Sequence, residues 1–266
     1  MSAWVLLRGL TRESRHWAHL PAALHASGID DDIVLADLPG SGRYVRDRAP
    51  ANVAATVDFL RTRLAAAGPA PPYRMIALSL GAMAAVDWAQ RFPGEIEALV
   101  LINTSIRRYS RSFERLRPGA WLPMARAAWG WDSHARGARR RGVEAIIHTL
   151  TCARTDTRAE DLALWTAIFE CAAPTRSNAL RQLCAAARFR GAPLAPRCPT
   201  LLLASHADAL VHPACSAKLA AAWGATFLEH PWAGHDLPHD DPIWLADTIC
   251  AWAGNPSAVV APPTSA

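Results

Sequence analysis

An α/β fold built on a mostly parallel sheet follows from three observations on this 266-residue chain. Short apolar runs of strand length recur along it, helix-like stretches of 3.6-residue periodicity lie between most of them, and small or polar residues follow each run. Strands alternating with helices need crossover connections, which produce a parallel sheet covered on both faces. The runs are 3–7, 32–36, 74–78, 97–102, 200–204 and 226–228, a sheet of about six strands. The helical stretches are 16–26, 51–67, 82–91, 213–223 and 243–252. In such sheets ligands bind beyond the carboxyl ends of the strands, so the residues just after each run are where function is sought.

One interval breaks the alternation. About a hundred residues separate Ile102 from Thr200, far more than a crossover loop needs. Amphipathic patterns at 142–149, 159–172 and 177–189, with Trp121, Trp129, Trp131 and Trp165 spread among them, read as an inserted helical cap over 105–191. The core is then 1–104 with 192–253. Such tryptophans usually pack, but a cap above a strand-end cleft also lines an apolar pocket. The final stretch, 254–266, holds Pro256, Pro262 and Pro263 among small residues and reads as a disordered tail.

Hydrophobic residues make up 51% of the chain and charged residues 19%, a globular balance too polar, segment by segment, for a spanning helix, so no membrane insertion is expected. The first nine residues lack a basic lead and a cleavage site, and are expected to form a first strand rather than a signal peptide. Six cysteines, Cys152, Cys171, Cys184, Cys198, Cys215 and Cys250, form no C-x-x-C pair and have no histidine at zinc-finger spacing. Free thiols in a reducing cytoplasm, with no metal centre, are the expectation. The acidic run Asp30–Asp32 reads as a solvated turn, and Gly40-Ser41-Gly42 lacks what a phosphate loop requires. The net charge of +5 is concentrated locally: between Arg107 and Glu144, ten arginines face Glu114, Asp132 and Glu144, an excess of seven. That segment is either a solvated surface or a dock for an acidic partner; no nucleic acid is expected.

Ala77-Leu78-Ser79-Leu80-Gly81 sits between an apolar run and a helical one. A serine there reads as a nucleophile elbow, a turn tight enough to need minimal bulk two residues either side. A serine hydroxyl is a poor nucleophile at neutral pH, so it requires a base and a group to orient that base. Asp208 follows the fifth strand and His235 follows the sixth, giving the chain order Ser, Asp, His. His206, His212, His230 and His239 lack the small Ala233-Gly234 lead-in, and Asp240 and Asp241 are expected to cap the helix after Pro242.

These pieces together resemble the cap-bearing α/β-hydrolases of the esterase, lipase and acyl-hydrolase superfamily, over residues 3–252. Leu6-Leu7-Arg8-Gly9-Leu10 is similar to that family's strand followed by H-G-x, Asp37-Leu38-Pro39-Gly40-Ser41-Gly42 to its D-x-P-G-x-G loop, and Ala233-Gly234-His235 with Asp208 to its base and acid. The resemblance implies an α/β-hydrolase fold without the family's first two strands, hence a mostly or wholly parallel sheet. It implies Ser79 as nucleophile, His235 as base, Asp208 as its orienting acid, and the backbone N–H groups of Leu10 and Leu80 as the oxyanion hole. Ala77 replaces the commoner glycine. Arg8 stands where histidine is usual, either supporting the oxyanion loop or placing a charge near an anionic substrate. The alternative acid position, after the fourth strand, reads Asn103 and has no carboxylate.

The implied activity is a cytoplasmic, cofactor-independent serine hydrolase acting on a small-molecule carboxylic ester or thioester through an acyl-enzyme. Arg8, Trp121, Trp129 and Trp165 are the candidate substrate contacts. An acidic acyl-carrier protein as bearer of the acyl group, a weakly hydrolytic receptor and a C–C hydrolase on the same fold remain open alternatives.

Overall fold

The computed structural model describes residues 3–132 and 134–255. The core comprises β1 (Trp4–Leu7), α1 (Leu20–Ala26), β2 (Ile33–Ala36), α2 (Val53–Ala67), β3 (Tyr73–Leu78), α3 (Leu80–Arg91) and β4 (Ile96–Ile102). Between β4 and β5 (Thr200–Ser205) lie α4 (Ser112–Arg115), α5 (Pro118–Trp129), α6 (Gly137–Thr151), α7 (Arg158–Cys171) and α8 (Arg176–Arg188). The chain continues through α9 (Ala214–Trp223), β6 (Thr226–His230), α10 (Leu237–Asp240) and α11 (Pro242–Gly254). Gly254, expected to open the tail, closes α11 instead and Asn255 caps it, while 256–266 of that expected tail lie outside the described residues.

The six strands run in the order β2-β1-β3-β4-β5-β6, and every pairing among the described residues is parallel. Alternation decides which face each side chain joins. Leu7, Met75, Ala77, Leu99 and Leu101 pack with α2, α3 and α9, whereas Leu6, Ile76, Leu78, Val100 and Ile102 pack with α1 and α11. Because both faces are covered, β3 and β4 are apolar at nearly every position. Full burial of each such leucine or isoleucine stabilises by roughly 1.5–3 kcal/mol.

The strand order reverses direction between β1 and β3. A crevice opens beyond the carboxyl ends of strands at such a point, flanked here by Arg8 after β1 and Ser79 after β3. The expected strands and core helices are present within a few residues. In the inserted segment, α4 and α5 were not foreseen, because Pro118, Gly119 and Pro123 interrupt the helical pattern. Pro118 occupies the first helical turn, where its missing N–H costs nothing, while Pro123 is carried inside the helix.

Candidate active site

The β3-to-α3 turn puts Ser79 at φ 55° and ψ −114°, a conformation that costs a non-glycine residue roughly 1–3 kcal/mol. Neighbouring strands hold it there: the Ser79 N–H donates to Ile102 O at 2.9 Å, and the Thr104 hydroxyl donates to Ser79 O at 3.1 Å. Gly81 has no freedom to vary. A Cβ at that position would stand 2.5 Å from Leu7 O and 2.6 Å from Arg8 O, so the elbow closes against β1 only with glycine. Ala77, two residues before the serine, is fully buried in the sheet.

After β5, the chain turns so that Asp208 Oδ1 accepts from the Leu210 and Val211 N–H groups, at 2.7 and 2.8 Å. Asp208 Oδ2 lies 2.7 Å from His235 Nδ1. With that nitrogen engaged as donor, Nε2 is left as the acceptor, the tautomer a general base needs. Burial works against a charged His235, but the Asp208 charge and hydrogen bond outweigh it and raise the imidazole above its usual pKa, despite the opposing Arg8. Ser79 and His235 open on one cavity of about 450 Å³, although Ser79 Oγ makes no side-chain hydrogen bond among the described residues.

Asn103, at the alternative acid position, has a different task. Its Nδ2 donates to His235 O at 2.9 Å and Ser205 Oγ at 2.9 Å, while its Oδ1 accepts from Ser205 N at 2.8 Å. It therefore ties the histidine loop to the ends of β4 and β5. Its φ of 47° is one that asparagine tolerates better than most residues.

Arg8 is 1% exposed and its Nη1 and Nη2 donate to the two oxygens of Asp236, at 2.9 and 2.5 Å, with the guanidinium 5.0 Å from the Trp17 ring centroid. Burial pushes the Asp236 carboxyl upward, but the Arg8 charge and hydrogen bonds prevail and hold it below the usual range. The arginine charge is thus matched within the protein, directly beside His235. The sequence analysis gave Asp236 no role; its place directly after His235, at the same sheet edge as Arg8, was the available signal.

Leu10 and Leu80 both line the cavity, and neither backbone N–H donates to another protein atom outside regular secondary structure among the described residues. Leu80 opens α3, whose first N–H groups have no intrahelical acceptor. The rest of the lining is mainly apolar and comes from α5, α6 and α8, including Trp121, Met124, Ile147, Leu150, Leu180 and Leu183. Of the four candidate contacts, Arg8 and Trp121 border the cavity. Trp129 points outward, 84% exposed, and Trp165 is buried with the Arg12 guanidinium 4.3 Å from its ring centroid; neither lines the cavity. Trp131, left out of that set, does line it, with its Nε1 donating to Pro174 O at 3.0 Å.

The arginine-rich segment divides in two. Arg115 donates to Ala186 O and Ala187 O, Arg117 donates to Asp208 O at 2.6 Å, and Arg140 is buried against Glu144. Arg107, Arg108, Arg111, Arg126, Arg136, Arg139 and Arg141 are exposed. Asp241 caps α11 as expected, through Trp244 N at 3.0 Å. Asp240 does not: it accepts from the N–H groups of Ala153, Arg154 and Gly234 and so joins the end of α6 to the histidine loop.

A family model described as the alpha/beta hydrolase family matches residues 4–248. No curated protein sequence gives a significant match. Among solved structures, the chain is similar to a thermophilic esterase from Thermogutta terrifontis, with a TM-score of 0.70 and 20% identity over 97% of this chain and 91% of that one. It is similar to an enol-lactonase from Burkholderia xenovorans LB400, with a TM-score of 0.71 and 19% identity over 96% and 90%. A hydrolase from Pseudomonas aeruginosa PA01 gives a TM-score of 0.72 and 19% identity over 95% and 90%. At these identities the structures speak for the fold, while the family match covers most of the sequence: the chain belongs to the alpha/beta hydrolase family.

Proposed function

We propose that this protein is a serine hydrolase that cleaves a carboxylic ester or thioester through an acyl-enzyme. The observation that carries the reading is the shared cavity of Ser79, on its strained elbow, and His235, whose Nδ1 is held by Asp208 at 2.7 Å. Ser79 Oγ attacks the acyl carbonyl as His235 Nε2 takes its proton; the same proton then leaves with the departing alcohol or thiol. The Leu10 and Leu80 N–H groups receive the developing oxyanion, each donor worth about 2.7–4 kcal/mol in the transition state. Water repeats the sequence on the acyl-enzyme and releases the acid.

The helical segment 105–191 acts as a cap whose apolar inner side holds the acyl chain, with Trp121 and Trp131 at that wall. Arg8 serves the loop rather than the substrate, since Asp236 already matches its charge. The esterase and enol-lactonase among the similar structures fit a carboxylic ester reaction. The seven exposed arginines favour a narrower form, an acyl group delivered on an acidic carrier protein. A chain-length series of p-nitrophenyl esters tests the main reading: turnover that vanishes in Ser79→Ala and His235→Ala supports it, and turnover that survives either change ends it.

A further inference from the structure

Thr151 lines the cavity, and behind it a cluster of side chains gathers that acyl transfer does not use. His148 and Cys152 are four residues apart at the end of α6, a spacing that puts them on one side of the helix. His239 joins them from α10, on the core. One ring nitrogen of each histidine and the Cys152 sulfur lie within 4.8 Å of one another, with His148 and Cys152 buried and His239 partly so. Asp161, on α7, stands 3.1 Å from His148 Nε2 and 3.0 Å from His239 Nε2, and also accepts from the Thr157 hydroxyl at 2.9 Å. The linear sequence hides this group, because its third ligand is far from the first two.

Two imidazoles and a thiolate make a borderline-soft donor set, the kind that selects a tetrahedral d¹⁰ ion over magnesium or calcium. Bonds of about 2.0–2.3 Å imply ligand-to-ligand edges of about 3.3–3.6 Å, so an ion would draw the three atoms in from the 4.8 Å within which they lie. Metal-binding histidines commonly give their other ring nitrogen to a carboxylate, and Asp161 is placed to serve both rings. Charge also balances, since a thiolate and the Asp161 carboxylate together neutralise a divalent cation in a buried place. Burial, and after it the Asp236 and Asp240 carboxylates, push the Cys152 thiol well up, so the metal itself must displace the thiol proton.

We propose that His148, Cys152 and His239 bind a thiophilic divalent cation, Zn²⁺ in the first instance, with Asp161 orienting both imidazoles, and that the ion fastens the inserted helices to α10. On binding, the Cys152 S–H bond breaks, its proton goes to solvent, and the sulfur electron pair forms the bond to the metal, with no change of oxidation state. The site lies apart from Ser79 and acts on the segment that begins at Asp236, so it would stabilise the seat of His235 without entering the acyl-transfer steps.

The test is to titrate the chelator-treated chain with Zn²⁺ against a colorimetric chelator, and with Co²⁺ followed by absorption. The expected result is one ion per chain, a tetrahedral cobalt spectrum with a thiolate-to-metal charge-transfer band, and a melting temperature that rises with added Zn²⁺. Cys152→Ser removes the band and the thermal shift, Asp161→Asn weakens binding by about 10–100-fold, and His206→Gln, at an exposed histidine, leaves both unchanged. Absence of stoichiometric uptake by the unaltered chain overturns the proposal, which keeps it decidable if a variant fails to fold. So does a cobalt spectrum that Cys152→Ser leaves intact.

Discussion

On the core side of the cavity, backbone hydrogen bonds fix the polar residues: Ser79 through Ile102 and Thr104, Asp208 through Leu210 and Val211, and the His235 loop through Asn103. On the helical side, the lining is apolar and side chain pairs hold it from behind. Arg12 Nη1 donates to Glu144 Oε2 at 3.0 Å, Arg140 Nε donates to Glu144 Oε1 at 3.1 Å, and Arg140 lies over Phe169 and Trp131. Burial pulls the Arg140 guanidinium down to about 10 against the pull of Glu144. The contrast separates two tasks. The core wall is held by hydrogen bonds to backbone at the strand ends, and the helical wall by side-chain ion pairs, with Arg117 and Asp240 linking the two.

The largest effect expected on the core wall is that of Ser79→Ala, a fall in kcat on the order of 10⁶-fold with the fold retained, read by steady-state ester turnover and circular dichroism. Asp208→Asn should cost about 10⁴-fold, because the amide no longer holds the required tautomer. It should also move the acid limb of the pH–rate profile. With His235 raised above its usual value, unaltered protein loses kcat/KM as pH falls through a midpoint above about 6.5. Removing the carboxylate charge should shift that midpoint downward, and a midpoint that stays in place would break the assignment of Asp208.

Changes on the helical side should register differently. Glu144→Gln leaves two buried guanidinium groups without a counter-charge and should lower stability by about 3–5 kcal/mol, measured by denaturant unfolding, with kcat of the folded fraction little altered. Trp121→Ala should give the smallest effect, a change of about 1–3 kcal/mol in preference among acyl chain lengths, seen in KM more than kcat. A kcat loss in Trp121→Ala comparable to that of Asp208→Asn would erase the distinction between the two walls.

The sheet was legible because its signal is local: buried parallel strands are continuous apolar runs, and residues after them fall at one edge by geometry alone. Ser79, Asp208 and His235 were singled out that way, and the structure brings Asp208 to His235 and opens Ser79 on the same cavity. What stayed hidden depends on pairing across long separations. Arg8 and Asp236 meet over 228 positions, Asn103 and His235 over 132, and nothing near either residue announces its partner. Trp121 borders the cavity while Trp129 and Trp165 do not, and for Trp129 the reason is related. Helical phase decides whether Trp121 or Trp129 faces the cavity, and with Pro118 and Pro123 disrupting the pattern that phase could not be read from α5.

The claim on which the rest depends is that Ser79 is an activated nucleophile. Incubation with a fluorophosphonate followed by intact-mass measurement and peptide mapping tests it most directly. The account predicts a single adduct on Ser79, absent in Ser79→Ala and formed far more slowly in His235→Ala. No adduct on the folded protein, or an adduct that persists in Ser79→Ala, would contradict it.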